Sequence, residues 1–256
     1  MSKSITFYKY QGTGNDFVIT SDIYNLTTEQ IFFLCDRKFG VGADGVIVMK
    51  KESTLDFDMM YYNADGSESF CGNGSRCAVR HAQYLNWITD SCSFNSNDGP
   101  HDAVLDKDVV KLKMHDVEEV KKIGKDFVTN TGSPHYLVFK DTLDIDVIES
   151  AKAIRFSDIY KKEGINVNFL QSTKTELNVR TYERGVEDET LSCGTGVTAA
   201  AIAEFEAQNL QNAEHYRSVK TLGGNLAVSF SQSNGRYSNI YLIGPATLVF
   251  SGKIYL

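Results

Sequence analysis

The chain has 256 residues, 42% hydrophobic and 23% charged with only 3 prolines, enough for two domains of about 100–150 residues each and without the long apolar runs or low-complexity tracts of membrane spans and disordered tails. A formal net charge of −7 argues against nucleic-acid binding, which needs clustered Lys and Arg, and makes a small molecule the expected ligand. Its cysteines, Cys35, Cys71, Cys77, Cys92 and Cys193, are odd in number and form no C-x-x-C pair, so they are expected to act as thiols and not as a disulfide or zinc framework.

In chain order, Met1-Ser2-Lys3-Ser4-Ile5 leads into an alternating pattern with no signal core, which points to the cytoplasm. Period-2 alternation predicts strands over residues 5–10 and 17–20. A surface helix follows from Thr27, where T-x-x-Q forms a capping box with Gln30; it buries Ile31, Leu34 and Cys35 and is expected to stop near Gly40. Further strands are predicted over 46–49, 57–62, 109–114, 136–139, 177–182 and 226–230. Two more helices start directly after glycine-rich turns, over about 73–86 and about 195–208, each preceded by a cysteine. The second, through Val197-Thr198-Ala199-Ala200-Ala201-Ile202-Ala203, is apolar nearly all round, so strands must enclose it. Cys77 within the first of these helices and Cys92 in Cys92-Ser93-Phe94 are expected to be packing residues.

The halves correspond. Gly14-Asn15-Asp16-Phe17-Val18 aligns with Gly132-Ser133-Pro134-His135-Tyr136, Tyr62-Asn63 with Tyr182-Glu183, and Cys71-Gly72-Asn73-Gly74 with Cys193-Gly194-Thr195-Gly196, at separations of 118, 120 and 122 positions. A nearly constant separation of about half the chain implies duplication into two similar domains. The charged stretch at 117–125 marks the expected boundary, although it also reads as a solvated loop within one domain.

A cysteine at a helix start has a chemical consequence. The unpaired N–H groups of the first turn and the helix dipole stabilise an anion, lowering a thiol from about 8.5 into a range of about 3.5–7.5 in favourable sites. The same N–H groups, approachable beside Gly72, Gly74, Gly194 and Gly196, can hold a carboxylate. Inverting an amino-acid stereocentre without a cofactor requires one base to remove the α-proton and a second acid to return a proton on the opposite face. Cys71 and Cys193 supply that pair. One such cysteine alone is more often a buried small residue; its recurrence in register with matching glycines carries the catalytic reading.

Gly12-Thr13-Gly14-Asn15-Asp16-Phe17, Gly40-Val41-Gly42-Ala43-Asp44, Asn63-Ala64-Asp65-Gly66-Ser67, Cys71-Gly72-Asn73-Gly74-Ser75-Arg76, Tyr182-Glu183-Arg184-Gly185 and Cys193-Gly194-Thr195-Gly196, in this order and nearly end to end, resemble diaminopimelate epimerase. The resemblance implies interconversion of LL- and meso-2,6-diaminopimelate in lysine and peptidoglycan precursor synthesis, without pyridoxal phosphate or metal. It implies an α/β (α+β) fold of two pseudo-symmetric strand-rich domains, each a barrel-like sheet around a central helix: residues 1–117 with the C-terminal strand 247–256 returning to them, and residues 118–246.

By the same resemblance Cys71 and Cys193 are the acid/base pair, and the turns Gly72-Asn73 and Gly194-Thr195 clamp the reacting carboxylate. Asn15, Asn63, Asn166, Glu183 and Arg184 grip the remaining amino and carboxylate groups, with Arg184 suited to the distal carboxylate, while His135, with Glu183, helps set cysteine protonation. Turn capping for the asparagines, a surface turn for Arg184 and an ordinary strand position for His135 are the plainer readings of the same residues. Two positions depart from the family's commoner pattern: Ser133 stands where a substrate-contacting asparagine is usual, and Gly45 where many members carry glutamine. A two-cysteine racemase of proline, hydroxyproline or histidine is the alternative activity. The expected partner is a small amino acid, with no nucleic acid or membrane partner; a homodimer is compatible with the sequence.

Overall fold

The computed structural model describes residues 4–22 and 25–256, so Met1, Ser2 and Lys3 of the N-terminal reading lie outside the described residues. The chain divides into two compact units, residues 1–112 with 244–256, and residues 113–243. The division falls before the charged stretch at 117–125. Met114 donates its N–H to Ile240 O, and Val117 exchanges N–H and C=O with Tyr237, so the chain is already bound into the second unit there.

In the first unit β1 (Ser4–Gly12) and β2 (Asn15–Thr20) form a hairpin. The helix α1 (Thr28–Cys35) crosses over to β3 (Gly45–Lys51), which runs parallel to β2 and antiparallel to β4 (Phe57–Asn63). After a turn comes α2 (Gly72–Tyr84), then the meander β5 (Ser91–Ser96), β6 (Gly99–Asp106) and β7 (Val109–Lys113), with β5 parallel to β4.

The second unit repeats this order. A hairpin of β8 (Val120–Ile123) and β9 (Asp126–Asn130) occupies the charged stretch read from sequence as a boundary. β9 pairs with β10 (Pro134–Phe139); α3 (Val147–Arg155) crosses to β11 (Asn166–Ser172), parallel to β10 and antiparallel to β12 (Leu177–Glu183). The short β13 (Asp188–Thr190) adds to β12, then α4 (Gly194–Ala207) leads to β14 (Glu214–Thr221), β15 (Gly224–Ser233) and β16 (Arg236–Pro245). The final strand β17 (Thr247–Tyr255) returns to the first unit and runs antiparallel to β1.

Helices α1 and α3 form because each has a cap and a single apolar face. Thr27 and Gln30 make the reciprocal capping box, and Asp146 caps Glu149 N–H. Ile31, Leu34 and Cys35 pack with Ile5, Phe7, Val18 and Val46, while Val147 and Ala151 pack with Val138, Val167 and Phe169. The expected end of α1 near Gly40 is corrected to Cys35: Asp36 turns extended and its carboxylate accepts from Lys38 and Phe39 N–H, which starts a separate turn.

Helices α2 and α4 are different, being covered along nearly their whole length. α2 packs on β1, β2, β3, β4 and β17; α4 packs on β9, β10, β11, β12, β14 and β15. Val197, Ile202 and Phe205 of α4 are fully buried, each contributing about 1.5–3 kcal/mol of transfer free energy. The buried Glu204 in the same helix is tolerated because Arg217 pairs with it at 2.6 Å. Among the described residues no helix is long and apolar enough to cross a membrane.

The packing of α2 makes stability pH-dependent. His81 is fully buried beside Tyr8, Tyr10 and Tyr84, and desolvation holds its pKa down to about 4. An unfolded-chain histidine titrates near about 6.5, so between these values the unfolded state binds more protons and stability falls as the solution is acidified. A histidine so displaced costs about 1–2 kcal/mol on moving from pH 7 to pH 5. Urea midpoints at the two pH values are expected to differ by less in His81→Phe than in the parent chain; an equal drop in both would contradict this account.

Candidate active site

In the first unit, β2 begins at Asn15 and α2 is capped by Cys71. The Cys71 backbone is extended, and its Sγ accepts from Gly74 N–H at 3.4 Å, so the sulfur occupies the N-terminal donor site of the helix. Asn15 links the two elements: its Oδ1 lies 3.6 Å from Cys71 Sγ and accepts from Asn73 Nδ2 at 3.4 Å, while its Nδ2 donates to Asp44 at 2.6 Å. Asp44 and Asp16 are in turn held by Arg37, and Asp16 also by Lys9, whose cations keep the Asp16 carboxyl down at about 2 against the opposing effect of burial. The motifs Asn15-Asp16 and Ala43-Asp44 thus form one ionic brace that fixes the Asn15 amide.

The structure brings Asn15, Cys71, Gly72 and Asn73 together. Asn63 sits in the turn after β4, its amide donating to Ser67 O, Ser67 Oγ and Ser69 Oγ, while its Oδ1 accepts from the Tyr61 hydroxyl at 3.1 Å. Those contacts are the capping role that the sequence offered as the plainer reading. Gly45 pairs across from Asn63, and a Cβ at Gly45 would meet the Tyr61 ring at 2.4 Å. Tyr61 therefore fills the space a glutamine side chain would need and presents its own hydroxyl to Asn63.

In the second unit, parallel pairing sets His135 beside Asn166, and antiparallel pairing sets Asn168 opposite Thr181. Asn166 ties three segments: Nδ2 donates to Ser133 Oγ at 2.8 Å and to Pro134 O, and Oδ1 accepts from Arg184 N–H at 2.8 Å. Ser133 thus retains a polar link despite its short side chain. The Arg184 side chain is exposed and donates to Glu163 O at 2.9 Å. Glu183 accepts from Thr190 Oγ1 at 3.0 Å.

Cys193 caps α4 and is 8% exposed; its Sγ lies 3.4 Å from Thr195 Oγ1. Behind Thr195 stands a buried polar chain. His135 Nε2 is 3.0 Å from Thr195 Oγ1, its Nδ1 is 3.0 Å from Asn168 Nδ2, and Asn168 Oδ1 accepts from Thr181 Oγ1 at 2.9 Å. Because Asn168 Nδ2 also donates to Tyr136 O, the amide orientation is fixed, Nδ1 of His135 must accept, and Nε2 carries the proton. The histidine is fully buried, and desolvation with the nearby Arg184 charge lowers its pKa to about 3. It is a neutral donor to Thr195, whose hydroxyl in turn lies against Cys193 Sγ, with either atom able to donate. Gly196 belongs to this chain by its absence of a side chain: a Cβ there would lie 2.5 Å from Asn168 Oδ1.

Sequence reasoning did not single out Asn168, Thr181 or Tyr61. Asn168 carried a legible signal, since Asn166 and Asn168 lie two apart on a strand and share a face. The remaining cysteines pack: Cys35, Cys77 and Cys92 are buried, and burial pushes the Cys35 and Cys92 thiols up to about 11 and about 12.

Residues 7–122 and 127–249 match the family model for diaminopimelate epimerase. The chain is 46% identical over 255 residues to diaminopimelate epimerase of Flavobacterium psychrophilum, covering 96% of this chain and 99% of that protein. It is 39% identical over 260 residues to that of Chlorobaculum tepidum, again covering 96% and 99%. Among solved structures it resembles a phenazine biosynthesis protein of the PhzF family from Bacillus anthracis (TM-score 0.74, 14% identity, covering 99% and 100%) and a hydroxyproline epimerase from Agrobacterium vitis (TM-score 0.70, 14% identity, covering 99% and 93%), likenesses of fold. Two strand-rich units, each with a cysteine capping its buried helix, are therefore the form that this sequence gives to its family: the chain belongs to the diaminopimelate epimerases.

Proposed function

We propose that the chain epimerises LL-2,6-diaminopimelate to the meso isomer by two-base cysteine chemistry, serving lysine and peptidoglycan precursor synthesis. The observation that carries the mechanism is the recurrence, in both units, of a cysteine at the N-cap of a buried helix. One cysteine as thiolate takes the α-proton and becomes a thiol; the other, as thiol, gives its proton to the opposite face of the carbanion and becomes the thiolate. The electron pair left on the α-carbon delocalises into the α-carboxylate. N–H donors of Gly72, Asn73, Gly194 and Thr195, preoriented at helix starts, stabilise that growing charge.

Asn15 orients Cys71, and Thr195 with His135 holds the hydrogen-bonding state of Cys193. Asn63, Asn166 and Glu183 are assigned to the substrate's polar groups, and the exposed Arg184 to its distal carboxylate, where a guanidinium binds bidentately. The chemistry calls for no cofactor beyond these side chains. An odd count of five cysteines with no C-x-x-C pair fits a reducing compartment, the cytoplasm.

Incubation with LL-diaminopimelate in deuterium oxide is expected to place deuterium at the α-carbon, and Cys71→Ala and Cys193→Ala are each expected to lower epimerisation at least about a thousandfold. Full activity in either variant rejects the two-base mechanism, and turnover of proline or histidine in preference to diaminopimelate rejects the substrate. Thr195→Val, which keeps the shape but removes the hydroxyl, is expected to cut kcat about 10–100-fold, the equivalent of one hydrogen bond to a charged group. Thr195→Ser is expected to restore most of it; kinetics unchanged in the valine variant would sever His135 and Thr195 from the chemistry.

A further inference from the structure

Arg76 lies in the first turns of α2 and has no part in the chemistry above, yet it is 0% exposed. Its guanidinium donates to Gly72 O at 3.4 Å, Thr13 Oγ1 at 3.2 Å and Pro245 O at 3.5 Å. All three acceptors are neutral, and among the described residues no carboxylate pairs with it. Removing a guanidinium from water without a counter-charge is unfavourable, so such a charge persists only where something negative forms beside it.

The surrounding groups leave one such position. On β1 and β2, Lys9 and Asp16 are committed to each other and, with Asp44, to Arg37. Burial pushes the thiol of Cys77 and the phenol of Tyr10 far up, so both stay neutral, and it holds His81 neutral from the other direction. Elsewhere on α2, Arg80 donates to Gln83 and to Lys107 O, and Tyr84 lies against Tyr8 and His81. On β3 and β4, Lys50 pairs with Glu52, Lys51 is exposed, Asp58 answers to that same pair, and Tyr61 donates to Asn63 beside Tyr62. Lys253 and Tyr255 of β17 are exposed. The charge of Arg76 interacts first with Cys77, which burial keeps neutral, and next with Cys71; the guanidinium donates to Gly72 O, the residue directly after the Cys71 cap.

The glycine-rich turn between β1 and β2 is shaped around this guanidinium. Thr13 adopts a positive φ of 53°, its hydroxyl donates to Gly12 O, and the same oxygen accepts from Arg76. A Cβ at Gly12 would lie 3.4 Å from the guanidinium, 3.3 Å from Cys77 Sγ and 3.2 Å from Asn73 O.

We propose that Arg76 is a positioning residue for Cys71: its buried guanidinium, pinned by the Gly12-Thr13 turn, supplies the positive charge against which the Cys71 thiolate forms. This deepens the reading of Cys71 as a proton-transfer base and rests on it. The two units then tune their cysteines by different means, a buried cation in the first and a neutral histidine–threonine chain in the second.

The test is the pH dependence of iodoacetamide alkylation of Cys71 in the full chain, followed by peptide mass mapping. In the parent chain the midpoint is expected below that of a free thiol, about 8.5. Arg76→Gln is expected to raise it by about one unit, slowing alkylation at neutral pH about tenfold. Arg76→Lys, which keeps the charge, is expected to restore most of the shift, and the Cys193 profile is expected to stay unchanged in every variant that remains folded. A parent midpoint at or above about 8.5 overturns the proposal, whether or not Arg76→Gln folds. So does a midpoint in folded Arg76→Gln equal to the parent's. Absence of deuterium exchange with diaminopimelate, alongside an intact shift, would reject the epimerase reading and leave the role of Arg76 standing.

Discussion

A helix enclosed by strands has nowhere to send the N–H donors of its first turn. α2 and α4 are in that position, and both have a cysteine at the N-cap; the Cys71 sulfur accepts from Gly74 N–H, whereas Cys193 makes no capping bond from its side chain. With the helix dipole behind them, these donors favour an anion at the cap. The glycines third from each cysteine keep these helix starts packed: a Cβ at Gly74 would meet Ile47 at 3.2 Å and Phe17 at 3.4 Å, and one at Gly196 would meet Asn168 Oδ1 at 2.5 Å. The crossover helices, hairpins and ionic braces of each unit serve to hold a strand end against that one helix terminus.

Duplication has kept the scaffold and let the surroundings of the cysteines diverge. Both units run hairpin, crossover helix, parallel strand, hairpin, buried helix and three-strand meander. Next to the cap the chemistry differs: Asn15 reaches Cys71 from an ionic cluster of Lys9, Asp16, Arg37 and Asp44, whereas Thr195 reaches Cys193 from an uncharged line of His135, Asn168 and Thr181. Nonidentical surroundings suit a reaction whose two sides are mirror-related at one carbon while the rest of the substrate is not.

The cysteine motifs, their glycines and the helices behind them were legible because they are local: a cap, a run of small residues and a repeat separation all lie within short stretches of chain. The expected strands are present for the same reason, period-2 alternation being a local pattern. What escaped were features decided by partners distant in sequence. α3 has its own cap in Asp146 but only Val147 and Ala151 fully buried, too faint a stripe to stand out without the half-to-half correspondence that places α1 opposite it. Asn63 reads equally as a turn cap or a ligand, and its bonds to Ser67 and Ser69 depend on a turn that the sequence pattern does not fix. Gly45 reads as a loss of polar reach, yet it is the space occupied by Tyr61, sixteen positions away in sequence and one strand away in the sheet.

The return of β17 bears on the order in which the molecule assembles. From Ser4 paired with Tyr255 to Gln11 paired with Thr247, the first strand takes its outer neighbour from the last, and in the second unit the corresponding place beside β9 is filled by its own adjacent strand, β8. The second unit can thus close its sheet from contiguous chain, while the first keeps an open strand edge until residues 247–255 are made. Nascent chains truncated before Thr247 should expose that edge to nascent-chain chaperones or to pairing with other chains, so the half synthesised first is the half completed last.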